Sequence, residues 1–294
     1  MLQAARRRTL TLENRGVEIA LLEFGNPEHP LALLHHANGF CAALWGEVAG
    51  RLAKRYRVVA MDARGHGDSS KPPPPDAYSW TLFADDLGSV ARALVAESAH
   101  DRIAYGIGHS FGGTSTLVAA SRNPELFQRI ALVDPVIMPP PSMADTLPAS
   151  ARRPLAELAL KRRAIWPSRD EARRSWSRPG HAFGRWTQAA LELYLQEGFR
   201  DRPDGEIELK CPVEVEAAVF NHHGSLDLFA CADRVEAPTL FLRASGGNFP
   251  RSLYEEVAAA IPKARIEDIE AGHLVPMEVP ELLAGRLLAF GPES

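Results

Sequence analysis

The chain has 294 residues, 46% hydrophobic and 24% charged, proportions that suit a folded globular body and exclude a disordered or fibrous chain. Its net charge of −4 gives no pull toward nucleic acid or anionic lipid. Cys41, Cys211 and Cys231 are an odd, scattered set without a CxxC pair, which points to neither a disulfide framework nor a zinc site.

Arg6-Arg7-Arg8 leads into polar Thr9 to Glu13 where an export signal would need an apolar stretch, and no apolar run approaches the ~20 residues of a membrane span. A cytoplasmic location is expected, with neither membrane nor nucleic acid as partner, and a homodimer is left open. Leu10 to Leu12 and Val17 to Phe24, split by Asn14-Arg15-Gly16, predict an opening hairpin. The short apolar runs Leu31 to Leu34, Val58 to Met61, Ile103 to Ile107 and Ile130 to Val133 predict strands buried on both faces of a parallel sheet. Helical spacing over Trp45 to Leu52, Leu82 to Val95 and Thr114 to Ala120 lies between them, so the fold class is α/β with a doubly wound sheet. The same order resumes in Thr239 to Leu242, Leu253 to Ile261, Ala264 to Ile269 and Glu281 to Phe290.

An insert from Ile137 to Asp233 separates the two stretches and opens on Pro139-Pro140-Pro141. Arginines at 152, 153, 162, 163, 169, 173, 174, 178 and 185 alternate there with Leu155, Leu158, Ile165 and aromatic residues, which predicts short amphipathic helices capping the sheet. The basic side chains read as a solvated face whose stems cover apolar neighbours. The expected organisation is core 1–136, helical cap 137–233 and core 234–294.

Gly108-His109-Ser110-Phe111-Gly112-Gly113 falls between a predicted strand and a predicted helix. A serine in such a turn needs small neighbours at 108 and 112 and holds its hydroxyl at the helix N-terminus, the arrangement of a nucleophile. Serine alone is weakly nucleophilic at neutral pH and requires a base. His273, in Ala271-Gly272-His273 after the last predicted strand, returns to the same carboxyl edge of the sheet. His66 and His109 read as local structural residues of glycine-rich turns. His222-His223 has no acidic or cysteine partner at ligand spacing, so no metal and no cofactor is expected.

These motifs, with His36-Ala37-Asn38-Gly39-Phe40 and Asp62-Ala63-Arg64-Gly65-His66-Gly67-Asp68-Ser69, resemble the lid-bearing branch of the α/β-hydrolase superfamily over nearly the whole chain. The resemblance implies an α/β-hydrolase fold with a helical cap inserted after the sixth strand. It also implies an oxyanion hole. Counting from His36 to the familiar aromatic position at Trp45 gives the backbone N–H of Asn38, paired with that of Phe111; registering on His35 gives Ala37 instead. Relatives usually carry an aspartate after the seventh strand, but Arg243-Ala244-Ser245-Gly246-Gly247-Asn248 offers none. Branches that take the acid from the end of strand six make Asp134 the expected third member, with Asn248 or no third member as alternatives.

The expected reaction is hydrolysis of a carboxylic ester or lactone of a small, partly apolar substrate, with Phe40, Trp186 and Leu274 as pocket walls. Serine in place of a carboxylate nucleophile argues against epoxide hydrolase and dehalogenase chemistry. Carbon–carbon bond hydrolysis or perhydrolysis would use the same residues, and a non-catalytic small-molecule receptor is the alternative of another class.

Overall fold

The structure is a computed structural model that describes residues 5–139, 154–178 and 180–292. Pro140, Pro141, Arg152 and Arg153, which figured in the reading of the insert, lie outside the described residues. An eight-stranded sheet runs in the order β1 (Arg6–Leu12), β2 (Val17–Phe24), β4 (Arg57–Met61), β3 (Leu31–His35), β5 (Tyr105–His109), β6 (Ile130–Val133), β10 (Thr239–Gly246), β11 (Ala264–Gly272). The pairs β1–β2 and β2–β4 are antiparallel and the remaining pairs are parallel.

Strands β3 to β6 are buried at every position, which is why β3, β4 and β6 appear in the sequence as apolar runs rather than alternating ones. One face packs on α2 (Trp80–Ala96), α3 (Phe111–Arg122) and α8 (Arg251–Ala259), through Leu87, Leu117 and Leu253 among others. The other packs on α1 (Gly46–Leu52) and α10 (Pro280–Phe290), through Val48 and Leu287. Successive strands build outward from β3 in one direction and from β5 in the other. The carboxyl ends of β3 and β5 therefore border the crevice where such sheets place their ligands.

Strand β5 begins two residues later than its apolar run, because Ile103 makes only an isolated bridge to Phe127 while pairing continues through Gly108 and His109. Glycines conceal the end of that strand: a Cβ at Gly106 would lie 2.9 Å from the Phe127 ring.

Between β6 and β10 lie α4 (Leu155–Leu160), α5 (Arg169–Trp176), α6 (Gln188–Glu197) and α7 (Val213–Asn221). They are joined by a three-stranded antiparallel sheet, β7 (Ile165–Trp166), β9 (Ile207–Leu209) and β8 (Phe199–Asp201), that helical spacing did not foretell. Strands of two or three residues are too short to set a period. Among the described residues no helix is long and apolar enough to cross a membrane.

Candidate active site

Strand β5 ends at His109 and α3 begins at Phe111, leaving Ser110 to make the whole reversal at φ 57° and ψ −124°. The turn closes only because its flanks are bare. A Cβ at Gly108 would lie 2.2 Å from the Gly112 carbonyl, and one at Gly112 would lie 2.5 Å from the carbonyls of His35 and His36. The end of β3 thus abuts the first turn of α3, and Ser110 is pinned by its N–H to Val133 O at 2.9 Å.

Among the described residues, Ser110 and Asp134 are the non-glycine residues with positive φ, 57° and 40°. Such conformations cost of order 1–3 kcal/mol each and persist where surrounding structure holds them. The structure brings these two strained residues to one imidazole. His273 Nε2 is 2.8 Å from Ser110 Oγ, and His273 Nδ1 is 2.6 Å from Asp134 Oδ2. A neutral imidazole protonated on Nδ1 donates to the carboxylate and leaves Nε2 to accept the serine hydroxyl. Asp134 is fully buried, Ser110 nearly so, and the His273 side chain keeps 22% of its surface exposed.

His109 does more than a local turn residue would. Its Nε2 donates to the carbonyl of His273 at 2.8 Å, tying the loop of the imidazole to the strand that carries Ser110. Burial pushes the pKa of His109 down to about 3, and burial likewise lowers His35 to about 4, His66 to about 3 and His36 well below the usual value. These four rings are therefore neutral hydrogen-bonding parts at neutral pH.

Phe111 is the first residue of α3, so its N–H has no intrahelical partner and is available beside Ser110. The Asn38 side chain is engaged by other residues. Its Nδ2 donates to Glu216 O at 3.0 Å and its Oδ1 faces His66 Nε2 at 3.0 Å, so any part that residue 38 plays at the serine runs through its main chain. Gly39 is held from the insert, its carbonyl accepting the Tyr194 hydroxyl at 3.0 Å. Tyr194 in turn accepts from Arg162, whose guanidinium pairs with Glu216. Arg162 thus departs from the solvated-face reading that suits Arg169, Arg173 and Arg174, which pair with acids at the surface.

A cavity of about 10 Å³, room for roughly one water, is lined by His36, Ala37, Phe40, Leu44, Trp45, His109, Pro276 and Met277. Phe40 stands in its wall, and the rings of Trp186 and Tyr194 lie 5.6 and 5.4 Å from that of Phe40. Leu274 is half-buried beside His273, its carbonyl accepting the N–H groups of Met277 and Glu278. A larger cavity, about 200 Å³ between Arg7, Cys41, Asp62 and Glu197, contains none of the expected site residues.

The vacancy noted after Thr239 to Leu242 has a structural counterpart. Asn248 is exposed, and Gly247 packs its bare Cα against the Asp134 carboxylate. Sequence reasoning missed Gly247, Arg162, Glu216 and Tyr254, whose hydroxyl donates to Asp134 Oδ1 at 2.8 Å. The paired glycines 246 and 247, in a loop lacking a carboxylate, were the one available hint.

The alpha/beta hydrolase family model matches residues 32–286. The probable oxidoreductase EphD of Mycobacterium tuberculosis is 26% identical over 287 residues, which cover 94% of this chain and 48% of that protein, so the chain spans about half its length. N-formylmaleamate deformylase of Pseudomonas putida is 27% identical over 284 residues, covering 94% of this chain and 92% of that protein. The crystal structure of E-2-(acetamidomethylene)succinate hydrolase has the same fold, with a TM-score of 0.80 over 97% of this chain and 98% of that one at 20% identity. With the matched region spanning Ser110, Asp134 and His273, the chain belongs to the alpha/beta hydrolase family.

Proposed function

We propose that the protein is a serine hydrolase that cleaves a carboxylic ester or lactone of a small, partly apolar substrate through an acyl-enzyme. The observation that carries this reading is the unbroken hydrogen-bonded line from Asp134 through His273 to Ser110, at 2.6 and 2.8 Å. Ser110 Oγ attacks the carbonyl carbon while His273 Nε2 takes its proton, and Asp134 stabilises the imidazolium. The tetrahedral oxyanion accepts hydrogen bonds from the N–H of Phe111 and of Asn38, or of Ala37 in the alternative register. Collapse expels the alcohol, which takes the proton from His273. Water, deprotonated by the same ring, then releases the acid and restores Ser110. Every step uses groups of the chain and water.

In this reading the described residues of the 137–233 insert cap the site, and Phe40, Trp186 and Leu274 contribute apolar wall. An N-formyl amide is a second substrate class, favoured by the identity to the deformylase across nearly the full length of both chains; an amide differs from an ester in needing fuller protonation of its leaving group.

A fluorophosphonate probe, with p-nitrophenyl esters and an N-formyl amide as substrates, tests the proposal. Stoichiometric labelling that disappears in Ser110→Ala, with turnover down about 10⁴-fold or more, supports it. An intact protein that neither labels nor turns over would instead support the receptor.

A further inference from the structure

Trp186 is 9% exposed, and its indole Nε1–H is buried without a hydrogen-bond partner among the described residues. Trp80 and Trp166 show the usual outcome, their Nε1–H groups donating to Val219 O at 2.7 Å and to Arg163 O at 2.9 Å. A buried donor left without an acceptor is destabilising, and such groups are few in folded proteins. Around Trp186 stand aromatic rings. It stacks on Phe183 with centroids 4.3 Å apart, and the rings of Phe40 and Tyr194 lie at 5.6 and 5.8 Å. The one hydroxyl among them, that of Tyr194, is engaged by Gly39 O and Arg162.

The chain on either side fixes where this donor stands. Arg185 pairs with Glu278 at 2.9 Å, and the Thr187 N–H donates to Met277 O at 2.8 Å, so residue 186 is held against the helical turn that follows His273. Met277 and Phe40 line the small cavity together with His109, and that cavity has room for roughly one water. Resting on the reading that the insert caps the site of Ser110, we propose that the Trp186 indole N–H is a specificity-determining donor to the substrate. The substrate carries, outside the bond that is cleaved, a carbonyl or carboxylate oxygen that accepts it. Entry parts Phe40 from the Phe183–Trp186 stack, with the apolar carbons of the substrate against the rings and its oxygen at the indole edge. A hydrocarbon chain of equal length fills the same space and leaves the donor unpaired, so the wall separates oxo and carboxy esters from alkyl esters.

Matched methyl and acetyl esters test this on wild type, Trp186→Phe and Phe183→Leu, each checked by thermal melting. Methyl levulinate against methyl pentanoate puts the carbonyl on the acyl side, and acetonyl acetate against propyl acetate puts it on the alcohol side. Monomethyl succinate adds a carboxylate. The quantity read is the kcat/KM preference for the oxygen-bearing ester over its alkyl counterpart, so that intrinsic reactivity cancels between proteins. On one of the two sides Trp186→Phe is expected to lower that preference about tenfold for the ketone, and about 30-fold if the natural acceptor is a carboxylate. Phe183→Leu alters the wall but keeps the donor, so its preference should stay near that of the wild type. A preference unmoved by Trp186→Phe on both sides overturns the proposal, as does one that falls equally far in Phe183→Leu.

Should Trp186→Phe not fold, the indole proton itself decides. Each of the five tryptophans gives one indole N–H resonance. In Ser110→Ala, which binds esters without turning them over, the resonance in contact with the Phe40 ring is expected to move downfield with one of the oxo esters and to stay in place with its alkyl counterpart. A resonance indifferent to every oxo and carboxy ester overturns the donor. This readout also separates the two levels of the reading. A downfield shift in a protein whose wild type neither labels with fluorophosphonate nor turns over sinks the hydrolase and keeps the donor, whereas turnover through Ser110 with an unmoved indole resonance sinks the donor alone.

Discussion

Arg162→Leu tests whether the insert holds the segment after β3 through a buried ion pair. Arg162 Nη1 pairs with Glu216 Oε2, Nη2 donates to Tyr194, Tyr194 donates to Gly39 O, and Asn38 donates to Glu216 O. Burial raises the pKa of Glu216, with Arg162 pulling against that rise; burial also opposes the charge on Arg162, but Tyr194 and Glu216 outweigh it. Removing the guanidinium strands a carboxylate whose side chain is only 9% exposed. Breaking a fully buried pair costs ~3–5 kcal/mol, and since Arg162 itself keeps 24% of its surface, about 2–3 kcal/mol is expected at pH 8. A carboxyl whose pKa is higher in the folded than in the unfolded protein takes up its proton sooner when folded, so the loss shrinks as pH falls. Urea unfolding at pH 8 and pH 5 is the assay, with thermal midpoints falling roughly 2–4 °C per kcal/mol. The pair Arg162→Leu with Glu216→Gln should recover stability at pH 8, since the stranded charge is gone. Equal losses at both pH values, with no recovery in the double variant, would refute the reasoning.

Three further outcomes follow from the buried histidines and the strained turn. His35, His66 and His109, with folded pKa values depressed to about 4, 3 and 3, contribute stability that is present above the unfolded value near 6.5 and lost as pH falls below it. By pH 5 each should have cost on the order of 2 kcal/mol, while Asp62, pushed up to about 6 by burial, offsets roughly 1 kcal/mol in the opposite sense. Chemical denaturation between pH 7 and 5 checks this, and a flat profile contradicts it. Ser110→Gly should abolish turnover yet raise stability by about 1 kcal/mol, because glycine adopts φ 57° without strain; an unchanged or lower melting temperature counts against strain at the turn. His109→Phe keeps the ring but loses the bond to the His273 carbonyl, so kcat should fall about tenfold with KM little changed; a KM effect alone would assign His109 to substrate contact.

Fold and site were legible in the sequence to different depths. Strands β3, β4 and β6 are buried on both faces and so appear as apolar runs, whereas β5 is displaced because its last turn of pairing is carried by glycine and histidine. Ser110 and His273 stand in short local patterns that the backbone itself requires, which makes them readable one at a time. Asp134 is expected only through the resemblance to branches that carry the acid at the end of strand six, since nothing in Ala131-Leu132-Val133-Asp134-Pro135 itself announces an orienting acid. Spacing could not have revealed Arg162 as a buried cation, because Glu216 lies 54 residues away and Gly39, which Tyr194 grips, comes from before the insert. Asn38 and Glu216 are 178 residues apart, and their bond exists only once the insert has folded back.

Ser110, Phe111 and Asp134 all sit between residues 105 and 134, at the ends of neighbouring strands joined by the bond from Ser110 N–H to Val133 O. Exchanging the insert for one of another shape would therefore leave Ser110, Phe111 and Asp134 placed as before. It would not spare residues 38 and 39, which that insert grips through the Asn38 side chain on Glu216 O and the Gly39 carbonyl on Tyr194. If the proposed oxyanion role of residue 38 holds, grafting between relatives should alter turnover through how well negative charge on the substrate is received, even when the grafted segment never meets the substrate.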